Sequence, residues 1–361
     1  MGEVVDAFAD RRPKAGVNLG IRTVVELVAE EADAPDSKAL VAPMLWSDDY
    51  GVYAAKPKVG KSWLAQDLAV SLTTGTPFLE HYPVDGASVL MFAGEGGRRR
   101  VLRRLEAIVR SRGGELGDLA NLHVSLLAPV VNDAVVRDAM TEALTEHPAD
   151  LIIAEPFYLM GRGVGRSQLN EIGAVLGVLQ ELAQEARAAL LIGDHWNKGG
   201  EGIGAQRITG AGMAEWARVL FNGLVDDSRT DTQTRATTVD LRWDVSGEMA
   251  DFGFKYRREV WEDTPGAPAS RLNYRCTFLG EHDPSTETVL LEDALKYLHE
   301  ARKVDAREVT PAKHTDVYKG AGMDGRRGSE ALKQLVALGK MDHGAKVNGT
   351  TYDVWILEED A

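Results

Sequence analysis

The sequence predicts an α/β fold: a mainly parallel sheet, extended by antiparallel strands and followed by a small C-terminal domain of helices and a hairpin. Three observations predict it. A glycine-containing loop joins an apolar strand to a helix at residues 51–64, and four further apolar runs alternate with helical patterns up to Gly193. From Val219 the pattern changes to alternating polar and apolar residues. Continuous apolar runs belong to strands buried on both faces, as in a parallel sheet covered by crossover helices, whereas alternation marks antiparallel strands. The expected partition is 1–46 for an N-terminal extension and lead-in helix, 47–280 for the α/β domain, 281–287 for a linker and 288–361 for the C-terminal domain.

Residues 1–15 are charged and aperiodic. Leu19, Val24, Leu27 and Val28 are spaced for a short amphipathic helix from Leu19 to Glu31, and Leu40 to Trp46 lead through a loop into the next strand. This preface is expected to pack against the α/β domain or a neighbouring subunit.

In GVYAAKPKVGKSWL, Gly60, Lys61 and Ser62 match the end of the phosphate-loop pattern G-x-x-x-x-G-K-S/T, with Ala55 where the first Gly is usual. Backbone N–H groups of such a loop wrap the β-phosphate, the Lys reaches the β/γ-phosphates and the hydroxyl completes a Mg²⁺ shell. Lys58, Val59, Gly60, Lys61, Ser62 and Trp63 are therefore the expected nucleotide-binding segment. The context agrees: Val52 to Ala55 read as a buried strand, and Leu64, Leu68 and Leu72 mark one face of a helix that Gly75 and Pro77 end. That helix points its positive N-terminus at the loop.

Apolar runs follow at Ser88–Ala93, Leu122–Leu127, Leu151–Ala154 and Ala189–Gly193, with helical patterns at Arg98–Arg112 and Asn170–Ala186. In parallel sheets, ligands sit at the carboxyl ends of the strands, so the residue after each run matters. Glu95 follows the first run and is either a general base for in-line attack on a γ-phosphate or a solvated turn residue. Glu155 ends LIIAE in the form of a Walker B strand, as a Mg²⁺ ligand through water or as a polar strand cap, with Pro156 behind it. His195 ends the last run, either beside the γ-phosphate or as a structural hydrogen-bonder.

Two glycine-rich loops, 161–168 and 198–212, carry Arg162, Arg166, Lys198 and Arg207. These cations would grip a phosphate backbone, Arg207 would be a finger in a neighbour's site, or all are solvated surface charges. Arg98 to Arg104 is expected to be a solvated helix face, with contact to a neighbour or nucleic acid as the alternative. Segments such as RATTVDLRW, FGFKYRREVW and LNYRCTF read as antiparallel strands, and residues 281–286 as a linker.

The C-terminal residues 288–361 read as a winged helix. TVLLEDALKYLHEA is amphipathic through Leu291, Ala294, Leu295 and Leu298, a broken second helix follows, RRGSEALKQLVALGK repeats the pattern with Leu332, Leu335 and Val336, and the last segment reads as a hairpin wing. Arg326 and Arg327 stand at the start of the second long helix, placed for DNA. Ten Lys/Arg against six Asp/Glu between Arg302 and Lys346 reverse the charge of a chain whose net charge is −14, which favours nucleic acid there; the alternative is a winged helix used for protein contacts.

The acidic balance excludes a broadly basic nucleic-acid-binding surface, so such contact would be local. A single cysteine, Cys276, excludes an internal disulfide framework and a multi-cysteine metal site. No apolar stretch approaches membrane-spanning length and the N-terminus lacks a signal-peptide core, so a cytoplasmic protein without membrane contact is expected.

A phosphate loop written KPKVGKSW, a strand ending in Glu95, a Walker B strand with Pro156 behind its acid and a strand ending in His195-x-x-Lys198 resemble the RecA-like ATPases of the RepA-type hexameric helicases of plasmids, phages and integrated elements. The resemblance runs from Leu40 to Phe278. It implies ATP and Mg²⁺ as ligands, Lys61 and Ser62 on the phosphates and metal, Glu95 as catalytic base, Glu155 at the Walker B acid and His195 as γ-phosphate sensor. It places an arginine finger among Lys198, Arg207 and Arg218, and implies a homo-oligomer, most simply a hexamer, around single-stranded DNA. Duplex DNA or a protein partner would engage the winged helix. Two other functions are open: an ATP-switched DNA-binding regulator without translocation, and a small-molecule phosphotransferase.

Overall fold

The computed structural model describes residues 21–32, 37–161, 169–196, 212–231, 234–247, 251–267, 270–282, 294, 296–301, 313–337, 341–342, 345–347, 350–352 and 355–356. The chain divides into a unit of residues 1–37 and a unit of residues 38–361.

In the first unit, helix α1 (Val24–Ala32) starts at Thr23, whose hydroxyl accepts from the Glu26 N–H at 3.2 Å while the Glu26 carboxylate accepts from the Thr23 N–H at 2.7 Å. This reciprocal capping starts the helix at Val24, five residues inside the predicted Leu19 boundary. Its apolar residues Val24, Val25, Leu27 and Val28 are exposed.

The second unit opens with a short hairpin, β1 (Ala39–Val41) and β2 (Leu45–Trp46), and then builds one nine-stranded sheet. Its parallel part is β3 (Tyr50–Ala55), β4 (Val89–Ala93), β5 (Leu122–Ser125), β6 (Leu151–Glu155), β7 (Ala189–His195) and β8 (Val219–Thr230). Strands β9 (Thr237–Gly247), β10 (Asp251–Glu262) and β11 (Leu272–His282) continue antiparallel from β8, giving the order β11-β10-β9-β8-β3-β7-β6-β4-β5. Two expectations are corrected here. The segment from Val219 opens with a strand parallel to β3, because Gly51–Ala55 pair with Val219–Gly223 before the chain turns back. Glu281 and His282 belong to β11, where they pair with Phe254 and Gly253 rather than forming a linker.

Helices cover both faces, which is why the runs are continuously apolar. Alternate residues point to opposite sides: Tyr53, Met91, Ile153 and Leu191 pack with α2 (Lys61–Thr74) and α3 (Arg98–Ser111), whereas Val52, Phe92, Ile152 and Ile192 pack with α4 (Ala134–Glu146) and α5 (Leu169–Glu185). Leu64, Leu68 and Leu72 of α2 are at most 6% exposed, each contributing roughly 2 kcal/mol of burial. Phe254, Tyr256 and Tyr274 of the antiparallel strands join this same core, so the extension curls over α2. A short helix, α6 (Met213–Trp216), precedes β8.

Toward the C-terminus, helical residues 296–301, α7 (His314–Gly320) and α8 (Gly325–Ala337) enclose a separate core of Ala294, Tyr297, Leu298, Val317, Leu332 and Leu335. Val336, expected on the buried face of α8, is 36% exposed because it follows Leu335 on a helix whose buried stripe runs through 331, 332 and 335. A β13 (Ala345–Val347)–β14 (Thr350–Tyr352) hairpin and a β12 (Met341–Asp342)–β15 (Trp355–Ile356) pair complete the described part.

Candidate nucleotide site

The loop after β3 turns on Lys58 and Gly60, both at positive φ (68° and 114°). Such backbone is open to glycine and strained for other residues, and at Gly60 a Cβ would also collide with a guanidinium nitrogen of Arg258 at 1.6 Å. Helix α2 therefore begins at Lys61 with its first N–H groups facing the loop. Lys61 is 5% exposed and its Nζ lies 2.9 Å from His195 Nδ1 and 3.5 Å from the Ala55 carbonyl. With the ammonium donating to Nδ1, the imidazole proton sits on Nε2. Burial lowers the Lys61 pKa, opposed by the charges of Glu155, Asp194 and Glu95.

Neighbouring strand ends bring the carboxylates to this lysine. Ser62 Oγ donates to Glu155 Oε1 at 2.8 Å and Tyr53 Oη to Glu155 Oε2 at 3.3 Å. Burial raises the Glu155 pKa, partly offset by the Ser62 hydrogen bond and the Lys61 charge. The approach depends on Gly193 of β7, where a Cβ would meet Tyr53 Oη at 2.6 Å and Glu155 Cγ at 2.9 Å. A hydroxyl and a carboxylate in contact, both hard oxygen ligands, are the donor set that Mg²⁺ takes alongside waters and phosphate oxygens, so the residues present fit the ion.

Glu95 is exposed in the turn after β4, which is tied to the end of β6 by the Gly94 N–H on the Glu155 carbonyl at 2.9 Å. Its Oε1 accepts from the phenol of Tyr158, which lies in the 3₁₀ turn Phe157–Leu159 after the cis Glu155–Pro156 bond. Lys58, Gly60, Lys61, Ser62, Trp63, Glu95, Glu155 and His195 line one cavity of about 470 Å³ at the carboxyl ends of β3, β4, β6 and β7. Val59 is buried beside it.

The remaining wall was not foreseen. Arg100 and Arg104 of α3 and Arg258 of β10 line the same cavity, with the Arg104 and Arg258 guanidinium carbons 5.1 and 6.0 Å from the Trp63 ring. Trp63 in turn stacks on Tyr274 of β11 at 5.2 Å. The expected solvated face from Arg98 to Arg104 is thus corrected at its C-terminal end: Arg98 and Arg99 are exposed, but Arg103 pairs with Glu262 at 2.8 Å and Arg104 turns inward. Five cations now face two carboxylates, an electrostatic match to a polyphosphate. The sequence carried one signal for Arg258, a cation at an inward position of the alternating strand after Phe254 and Tyr256. For Tyr158 it carried none. Arg162, Arg166, Lys198 and Arg207 lie outside the described residues, and Arg218 stands 5.8 Å over the Tyr50 ring. Arg326 and Arg327, at the start of α8, donate their backbone N–H groups to Asp324 Oδ1 at 2.9 Å and are exposed.

A family model described as an AAA domain matches residues 20–201, about half of the chain. The chain belongs to that AAA domain family. The match spans the phosphate loop, both carboxylate strands and the strand of His195, which supports a P-loop ATPase domain. No curated protein matches the sequence. Among the described residues no helix is long and apolar enough to cross a membrane.

Proposed function

We propose that the protein is an oligomeric RecA-like ATPase that couples ATP hydrolysis to translocation on, or remodelling of, DNA, as a replicative helicase or helicase-like protein of a mobile element. The observation that carries the hydrolytic reading is the convergence of Lys61, Ser62, Glu155, Glu95 and His195 on one cavity. Lys61 would leave His195 for the β/γ-phosphate oxygens, freeing Nδ1 of the imidazole as the phosphate arrives. Ser62 and Glu155 would hold Mg²⁺, which when bound neutralises charge on those oxygens. Glu95, its carboxylate steadied by Tyr158, would accept the proton of the attacking water.

The DNA reading draws on the C-terminal residues. Three helical segments followed by a β13–β14 hairpin inside a β12–β15 pair support a winged helix, and Arg326 and Arg327 at the start of α8 support contact with phosphates or base edges. Homo-oligomer assembly, hexameric in the simplest case, would bring a basic residue of one subunit to its neighbour's site and line a channel with the two glycine-rich loops.

Steady-state ATP hydrolysis with and without single-stranded DNA, with Lys61→Ala as the blank, tests this. Strong stimulation that the variant loses is expected. Turnover indifferent to single strands would refute translocation and favour the ATP-switched regulator, a reading supported by the longer Glu155 in the Walker B position.

A further inference from the structure

We infer that Arg258 is a positioning residue of the phosphate-binding loop: its guanidinium, reaching in from the antiparallel extension, fixes the Val59–Gly60 peptide so that the Gly60 N–H points into the anion cradle. This rests on the P-loop assignment and adds to it a residue 199 positions away in the chain.

Arg258 is 5% exposed, and among the described residues its one hydrogen bond to the protein runs from a terminal nitrogen to the Val59 carbonyl at 3.2 Å. No ion pair neutralises it among the described residues. Its neighbour Arg257 points the other way and forms a two-pronged pair with Asp240 at 2.7 Å on each prong, so β10 turns one arginine to a carboxylate and the next to the loop. A buried guanidinium is costly unless it is held, and here Trp63 lies under it and the loop carbonyl in front. The trans peptide is planar, with its C=O and N–H on opposite sides. A guanidinium that holds the Val59 carbonyl therefore also fixes the direction of the Gly60 N–H. A Cβ at Gly60, beyond the strain of φ 114°, would displace this guanidinium. Its positive charge polarises the peptide whose carbonyl it holds.

The test compares wild type, Arg258→Met and Arg258→Lys for binding of Mg·ATP, Mg·ADP and inorganic pyrophosphate by calorimetry, with thermal unfolding of each nucleotide-free protein. Loss of cradle geometry weakens all three ligands in parallel, by about tenfold to a hundredfold for Arg258→Met, the scale of a charge-assisted hydrogen bond. Arg258→Lys, which keeps a single charged donor, falls between the two. Backbone hydrogen exchange at Gly60–Ser62 rises in the methionine variant. Weakening of ATP alone would mean that Arg258 touches the γ-phosphate directly and would overturn the inference. So would a fall in melting temperature with ligand affinities unchanged, the behaviour of a purely structural residue. Should Arg258→Met fail to fold, the lysine variant and the exchange rates carry the same comparison. Wild type that binds neither ADP nor pyrophosphate, no better than Lys61→Ala, would overturn the phosphate-loop assignment itself and the brace with it.

Discussion

Arg112→Met should damage the nucleotide domain severely, because the Arg112 side chain is nearly as buried as the carboxylate it holds. Asp67, on the second turn of α2, is fully buried, and Arg112 just after α3 holds its Oδ1 at 2.6 Å. Tyr274 donates to Oδ2 at 2.8 Å, and the other Arg112 nitrogen reaches Ser71 and Thr76 at 2.8 and 2.9 Å. Removing the guanidinium leaves a buried carboxylate with hydrogen bonds but no counter-charge, a situation that costs about 3–5 kcal/mol. At roughly 2–4 °C per kcal/mol for a domain of this size, melting should fall by about 10 °C. Asp67→Asn should also destabilise, whereas Asp67→Asn with Arg112→Met removes both charges and should recover at least about 2 kcal/mol of the summed losses. Urea unfolding of the four proteins measures the cycle. Single variants that each cost less than about 1 kcal/mol, or a double variant that is simply additive, would refute the claim that this pair anchors α2 against the end of α3.

Three further outcomes follow from the site. Tyr158→Phe keeps the ring and deletes the donor to Glu95, so kcat should drop about tenfold or more, a fraction of what a positioned base supplies, with ATP affinity within about twofold; an unchanged kcat would show that the phenol merely packs. Because burial raises the Glu155 pKa, a proton competes with Mg²⁺ for its carboxylate as pH falls, and the Mg²⁺ concentration needed for half-maximal hydrolysis should rise on acidification. A Mg²⁺ requirement flat with pH in wild type would contradict that. Gly193→Ala drives a methyl group against Tyr53 and Glu155, which should cost about 1–3 kcal/mol of stability and weaken Mg²⁺-dependent nucleotide binding; wild-type values on both measures would show that the strand yields without moving the carboxylate.

Much of the site was legible before the fold. Lys61, Ser62, Glu95, Glu155 and His195 each follow a strand or open a helix, and the rule that ligands gather at the carboxyl ends of parallel strands needs only the order of runs. The wall contributed by Arg100, Arg104 and Arg258 was not legible in this way. On a helix, Arg98 and Arg104 carry the same local signal, and whether a cation meets solvent or a cavity depends on what packs over it. Here the antiparallel strands curl back across α2 and α3, and that curvature has no counterpart in hydrophobic spacing.

By itself, then, the amino-acid sequence determined what short-range pattern can carry: the phosphate loop, the parallel strands and crossover helices, and the acids that stand at strand ends. Tertiary structure alone decided which distant side chains complete those parts. Tyr158 meets Glu95 across 63 residues and Arg258 meets Val59 across 199. The reason is physical. Periodicity within an element reports which face is apolar, whereas a hydrogen bond between elements depends on their order, twist and distance in the folded sheet, and these are set by the packing of the whole domain.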